Sequence, residues 1–332
     1  MSWRDNLIKI EPYVAGEQPN KTDFIKLNAN ENPYPPAPGV LRAIEQFRGG
    51  SLKKYPDANA KPLADALAKR FGLQRENVFV GNGSDDVLAL CFRAFFNSDM
   101  PVIYPDITYS FYPVWCEMLH IPFETIPVDD SFNINAADYK RPNGGVVIAN
   151  PNAPTSIGRG LDFMREILDA NPDSVVISDE AYVDFGGTSS VPLLKEYENL
   201  VVVQTFSKSR SMAGMRIGYA MGSAELIKAL NDVKYSFNSY TMNRTSILLG
   251  TASIEDDVYF KETVEKIVNT REWFKAEMKK LGFTFPDSKA NFLFASHPKV
   301  PAKEIFEAAR EKDIYVRYFD KPRINNYLRI TI

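Results

Sequence analysis

The chain has 332 residues, is 45% hydrophobic and carries a formal net charge of −3. That length supports one large domain plus a smaller one with a sizeable core. The mild acidity offers no basic field for nucleic acid or a membrane surface. No basic leader precedes an apolar run, and no stretch of about 18 apolar residues occurs. The expectation is a cytoplasmic protein with neither signal peptide nor membrane span. Cys91 and Cys116 lack C-x-x-C spacing and read as buried, reduced thiols. The histidines, His120 and His297, stand far apart without acidic neighbours at ligand spacing, so neither a His-based metal site nor a Ser–His–Asp triad is expected.

Residues 1–26 read as an arm, a short helix followed by a Pro/Gly/Asn break. The next stretch, KLNANENPYPPAPGV, is too rich in Asn and Pro for a regular element. Residues 41–47 look helical, SLKKYPDAN is a turn, and residues 61–71 form an amphipathic helix closed by Gly72. NVFVGNGSDDVLALCFRAFF reads as strand, turn and helix. Strands are expected at 102–104, 123–128, 145–149, 174–178, 200–204 and 216–221, and helices at 108–118, 161–170 and 224–233. Residues 240–253 and 254–281 read as long helices. A strand at 291–296, a helix at 302–312 and strands at 314–317 and 328–332 follow. Helices alternating with short, continuous apolar strands indicate an α/β fold. Its large domain is a three-layer αβα sandwich on a mostly parallel sheet, spanning 27–253. Residues 254–332 form a smaller α+β domain, which the arm 1–26 joins, together with the dimer partner.

Four polar signals fall at carboxyl ends of strands, where open α/β sheets gather ligands: GNGSDD, NPNAPTS, SDEAYVDF and TFSKS. In GNGSDD, Gly83 allows close backbone approach, and the N–H groups of Ser84 and Asp85 open a helix whose N-terminus favours an anion. The third glycine of a dinucleotide fingerprint is missing, since Asp86 stands there. Asp179 could pair with a protonated ring nitrogen, and Tyr182 could reach the same ligand. Lys208, flanked by Ser207 and Ser209, becomes a usable amine nucleophile where it is partly desolvated. Arg216 suits a bidentate grip on phosphate, and Tyr109 could stack on a flat ring. Each has an ordinary alternative: a capped helix, an Asp capping a turn, a solvated loop lysine, a packing tyrosine. Together they describe a site for pyridoxal phosphate, with an amine to form the imine, a carboxylate for the pyridinium, a phosphate cup and an aromatic cover.

LNANENPYPP, KYPD, GNGSDD, NPNAPT, SDEAYVDF, FSKSRSMAGMRIGYA and YLRITI, in this order from Leu27 to Ile332, resemble the fold-type I pyridoxal-phosphate aminotransferases, and within them the histidinol-phosphate aminotransferases. The resemblance implies that Lys208 carries pyridoxal 5′-phosphate and shuttles the proton between substrate and cofactor. It implies that Asp179 holds the pyridinium, Tyr182 the phenolic oxygen, and that Tyr109 stacks on the ring. Ser84, Asp85, Ser207 and Arg216 would hold the phosphate, with Tyr55 reaching it from the neighbouring subunit of a homodimer. Arg317 and Arg329 would face the substrate's anionic end, with Tyr13 and Asn30 nearby; either arginine has a surface ion pair as its ordinary alternative.

Two departures stand out. The family commonly has Asn-Asn-Pro-Thr-Gly, whose second asparagine reaches the phenolic oxygen; here Ala153 takes that place and Ser156 replaces the glycine. Asn152 is the expected substitute, unless Tyr182 acts alone. The chain also stops at Ile332, directly after an apolar strand, where relatives continue into a closing helix; a short or truncated small domain is expected. The implied reaction interconverts L-histidinol phosphate plus 2-oxoglutarate with imidazole-acetol phosphate plus L-glutamate. Aromatic or broad-specificity aminotransferases and threonine-phosphate decarboxylases share the scaffold and are the alternatives. A non-catalytic cofactor-binding regulator is disfavoured, because no DNA-binding helix-turn-helix is attached.

Overall fold

The computed structural model describes residues 2–14 and 16–332. In chain order the strands and helices are β1 (Ile25–Leu27), α1 (Pro38–Gln46), α2 (Lys61–Phe71), β2 (Val78–Gly81), α3 (Ser84–Phe95), β3 (Val102–Pro105), α4 (Tyr112–Leu119), β4 (Phe123–Ile126), β5 (Gly145–Ala149) and α5 (Leu161–Ala170). They continue through β6 (Val176–Asp179), β7 (Leu200–Thr205), β8 (Gly218–Gly222), α6 (Ala224–Phe237), α7 (Arg244–Glu255), α8 (Asp257–Lys280), β9 (Phe292–Ala295), α9 (Ala302–Glu311), β10 (Ile314–Tyr318) and β11 (Leu328–Thr331).

Seven strands form the large sheet in the order β2-β8-β7-β6-β5-β3-β4. Only β8 runs against its neighbours; the pairings among β3 to β7 are parallel. Strands covered on both faces must be apolar at every position, and β5 and β7 are buried throughout. Alternation then sends side chains to opposite cores. Leu200 and Val202 join one cluster with Val146, Ile148 and residues of α2, α5 and α7. Val201 and Val203 join another with Val147, Ile177 and residues of α3, α4 and α6. This is the expected three-layer αβα arrangement.

A second, four-stranded sheet runs β1-β10-β11-β9. Its core combines Leu293, Ala295, Val316, Leu328 and Ile330 with Met278 of α8 and Ala302 of α9. The strand β1 escaped the sequence reading. Three residues, Ile-Lys-Leu, carry no periodic signal, and their only ladder is the parallel pairing with β10, almost 300 positions away. Other boundaries also shift. Helix α4 begins at Tyr112 rather than 108, with Pro113 in its first turn, where a missing N–H costs nothing. Residue 216 lies outside the strand expected at 216–221: it closes a short 3₁₀ turn with φ +52°, and β8 starts at Gly218.

Candidate active site

The carboxyl ends of β5, β6 and β7 open on a cavity of about 220 Å³. β7 ends at Thr205, and the turn after it presents Ser207 and Lys208. The Lys208 amine donates to the Ala29 carbonyl at 3.1 Å and lies 5.7 Å from the centre of the Tyr182 ring. Asp179 is the last residue of β6 and is buried. Its Oδ2 accepts the Tyr112 hydroxyl at 2.7 Å, whereas its Oδ1 is buried with no partner. Burial pushes its pKa up to about 6 from 3.8, against the opposing Tyr112 hydroxyl and the nearby Ala181 backbone N–H. A buried carboxylate oxygen without a donor is costly and calls for a cationic or N–H partner.

The opposite end of the cavity is built from backbone. Gly83, at φ +91°, precedes α3, and a Cβ there would lie 2.5 Å from the Arg216 guanidinium. A Cβ on Gly218 would lie 2.3 Å from the Ser84 nitrogen. These glycines let Arg216, β8 and the first turn of α3 converge. Arg216 makes only long contacts, 3.4 Å to Ser207 Oγ, 3.4 Å to Asp85 Oδ2 and 3.3 Å to the Ala213 carbonyl. A guanidinium beside free helix-N-terminal N–H groups is a built anion cup. Tyr109 forms a wall and donates to Asp85 at 2.8 Å; burial first, and Asp85 second, hold its phenol well above its ordinary pKa.

At the far rim stand Arg317 on β10 and Arg329 on β11, direct cross-strand partners. Arg329 is half-buried; desolvation lowers its pKa, its Nη2 donates to the Asn28 carbonyl at 2.7 Å, and its buried Nε has no partner. Among the described residues no carboxylate pairs with it. Arg317 donates to the Val14 carbonyl at 3.1 Å. Tyr13 stacks on Phe111 at 4.3 Å and lines the same rim.

Ser84, Asp85, Tyr109, Asp179, Tyr182, Ser207, Lys208, Arg216, Tyr13, Arg317 and Arg329 thus share one cavity. Three anticipated residues do not line it. Asn152 is a correction: its amide is spent on the Ile107 carbonyl, Thr155 Oγ1 and Thr108 Oγ1, so it cannot stand in for the missing asparagine. Asn30 is 1% exposed and sits behind the wall, bonded to Tyr182 and to Thr331, two residues from Arg329 on β11. Tyr55 is 78% exposed and stacks on Tyr240 outside the cavity of its own chain. Ala153 lines the cavity with no polar replacement, packed with Ala290, Phe292 and Tyr182. The sequence reading missed Tyr112 and Thr205. Thr205 was legible in TFSKS; Tyr112, 67 positions from Asp179, carried no local signal.

The unpartnered Asp179 oxygen, the cup at α3 and the Lys208 amine, held by one backbone carbonyl, fit a flat, N-protonated ring with an aldehyde and a phosphate arm. The fold and this donor set define a class, that of α/β transferases working on an amine through such a ring. A sequence model of the class I and II aminotransferases matches residues 22–332, and the chain belongs to that family. It is 53% identical over 332 residues to the histidinol-phosphate aminotransferase of Lactococcus lactis subsp. lactis, covering 100% of this chain and 92% of that one. It is 49% identical to the histidinol-phosphate aminotransferase of Clostridium botulinum, covering 99% and 93%. Among solved structures, the histidinol-phosphate aminotransferase of Sinorhizobium meliloti in complex with pyridoxal-5′-phosphate superposes with a TM-score of 0.83 at 26% identity, over 92% of this chain and 86% of that one. The Clostridium acetobutylicum histidinol-phosphate aminotransferase shares the fold, with a TM-score of 0.85 at 21% identity, over 93% and 94%.

Proposed function

We propose that the chain is a pyridoxal 5′-phosphate-dependent aminotransferase of histidine biosynthesis, interconverting L-histidinol phosphate plus 2-oxoglutarate with imidazole-acetol phosphate plus L-glutamate. About half of all residues are shared, over the whole chain, with enzymes named for this substrate. The observation that carries the cofactor is Asp179, with a buried, unpartnered oxygen, lining the cavity that also holds Lys208.

When bound, the cofactor supplies an electron sink for charge developing at the substrate α-carbon. The protein supplies the rest. Asp179 keeps a proton on the ring nitrogen. Lys208 holds the cofactor aldehyde at rest, and its Nζ then carries the α-proton, a task the two distant histidines cannot perform. Ser84 and Asp85 offer backbone N–H groups to the phosphate, and Ser207 and Arg216 offer side chains. Tyr109 covers one ring face, and Tyr182 donates to the phenolic oxygen. Arg317 and Arg329, with Tyr13 beside them, grip the substrate phosphate in one half-reaction and a carboxylate in the other; both anions suit a planar fork.

The same reading makes the enzyme a cytoplasmic homodimer in which Tyr55 of the partner subunit completes the phosphate cup. It divides the chain into an arm (1–26), a large domain (27–253) and a small domain (254–332), supported by the two separate sheets. No helix among the described residues is long and apolar enough to cross a membrane.

The test is a single turnover followed by cofactor absorbance. The purified protein loaded with pyridoxal 5′-phosphate is given L-histidinol phosphate, L-phenylalanine or L-tyrosine in turn. Rapid loss of the aldehyde-form band with histidinol phosphate is expected. A strong response to the aromatic amino acids with none to histidinol phosphate would sink the substrate assignment, and released carbon dioxide would reveal a decarboxylase.

A further inference from the structure

Ala153 stands where the resemblance implies an asparagine reaching the phenolic oxygen, and the Asn152 amide is engaged elsewhere. We infer that Asn30 and Thr331 form a positioning relay that makes Tyr182 a fixed donor into the cavity and so offsets the loss of that amide. The inference rests on the proposed cofactor.

Proton directions can be followed atom by atom. The Asn30 backbone N–H donates to Thr331 Oγ1 at 3.1 Å. That hydroxyl passes its single proton to Asn30 Oδ1, also at 3.1 Å. With the oxygen end of the amide fixed, Nδ2 must face Tyr182, and it donates to the phenol oxygen at 3.0 Å. The Tyr182 oxygen thereby accepts, and its own proton has no other partner among the described residues. It can be given only toward the cavity.

The surroundings close off the alternatives. Ala153, Ala290 and Phe292 form an apolar wall around the Tyr182 ring, and Phe292 meets it edge-on at 5.0 Å. Asn30 is itself anchored: it sits in the left-handed region at φ +54°, where asparagine is tolerated. Its carbonyl accepts the Asn291 amide at 3.0 Å. The relay therefore ties β11 of the small sheet to a tyrosine at the cavity wall on the large-sheet side.

A donor to the phenolic oxygen withdraws charge from it and weakens its hold on a neighbouring proton. Losing an oriented donor raises the pH at which the bound cofactor changes colour. The experiment titrates protein loaded with pyridoxal 5′-phosphate by absorbance, with unfolding of the cofactor-free protein as a control. Tyr182→Phe sets the full effect, expected on the order of one pH unit upward. Asn30→Gly keeps the backbone conformation and removes the amide, whereas Thr331→Val keeps the amide and removes the hydroxyl that orients it, together with the acceptor of the Asn30 backbone N–H. Each is expected to raise the midpoint by roughly half the Tyr182→Phe shift and to add nothing when combined with Tyr182→Phe. Midpoints equal to the parent's, or shifts that persist in full on top of Tyr182→Phe, overturn the relay. If Asn30→Gly fails to fold, Thr331→Val decides by the same two criteria. A parent protein that develops no cofactor band at all overturns instead the reading on which the relay rests.

Discussion

Asp179 shows how one residue can be costly without its ligand and useful with it. Its carboxyl titrates at about 6 in the folded chain and near 3.8 when unperturbed, chiefly because it is buried. Between these values the folded chain keeps a proton that the unfolded chain has released, so stability falls as pH rises. The contribution is intact below about pH 4 and lost above about pH 6, and a shift of about two units is worth ~3 kcal/mol. Denaturant midpoints of the cofactor-free protein should therefore decline across this window. Asp179→Asn, which removes the titration, should flatten the profile while abolishing most turnover. A flat parent profile would contradict the burial argument. Arg329 is the opposite case, a half-buried cation with a buried, unpartnered Nε at the far rim. Arg329→Lys keeps the charge but loses the fork, so KM for both anionic substrates should rise about tenfold with kcat changed less. Steady-state kinetics with each substrate checks it; equal losses in kcat would move Arg329 away from ground-state binding. Residues such as Asp179, Tyr182 and Lys208 were legible because strand ends of an α/β sheet converge, so polar motifs after apolar runs meet. Tyr112 was not, because its partner comes from a distant segment and no local pattern marks it.

At the scale of elements, the phosphate cup depends on how closely β8 and the first turn of α3 approach. A Cβ on Gly218 would fall 2.3 Å from the Ser84 nitrogen and 2.4 Å from the Gly83 carbonyl carbon. Both are backbone atoms, so the helix start must move. Gly218→Ala should cost about 1–3 kcal/mol of stability and weaken pyridoxal 5′-phosphate binding at least about tenfold by displacing the N–H donors. Gly214→Ala, with nothing within 4 Å of the added carbon, is the control and should bind like the parent. Equal affinities for the two variants, by fluorescence titration, would dissociate the cup from this packing. Apolar periodicity found α2 and the central strands, since their burial is decided by local sequence alone. It placed Arg216 on a strand because RIGYAM is a continuous apolar run after its first residue. The residue instead turns at positive φ, a backbone choice that aims the guanidinium at Ser207 and Asp85 and leaves no mark in hydropathy.

For the whole molecule, the decisive residue is one the chain does not bring to its own cavity. Tyr55 stands 78% exposed, its ring stacked on Tyr240. Its segment is nevertheless firmly held: Arg244 donates to the Tyr55 carbonyl at 2.7 Å, and Lys234 to the Ala58 carbonyl at 2.5 Å. A loop fastened this tightly, carrying an exposed aromatic, is presented rather than idle. Nearby, Leu41, Ile44, Leu52 and Leu248 are also large, apolar and exposed. In the proposed homodimer Tyr55 reaches the phosphate across the two-fold axis, and mixing two damaged chains measures this directly. A Lys208→Ala chain lacks the amine but keeps Tyr55; a Tyr55→Ala chain lacks the tyrosine but keeps Lys208. In a mixed dimer the Tyr55→Ala chain holds an intact lysine site completed by the tyrosine of its partner, and the other site has neither. Random exchange makes about half the dimers mixed, each with one native site of two, so about a quarter of parental activity should return. Unfolding and refolding the two chains together, then comparing turnover with that of each refolded alone, gives the reading. Activity no greater than the average of the two separate preparations would mean that Tyr55 acts, if at all, within its own chain. A restored quarter would place one group of each phosphate cup under the control of the other subunit, so that dissociating the dimer by dilution should release cofactor as well as chains.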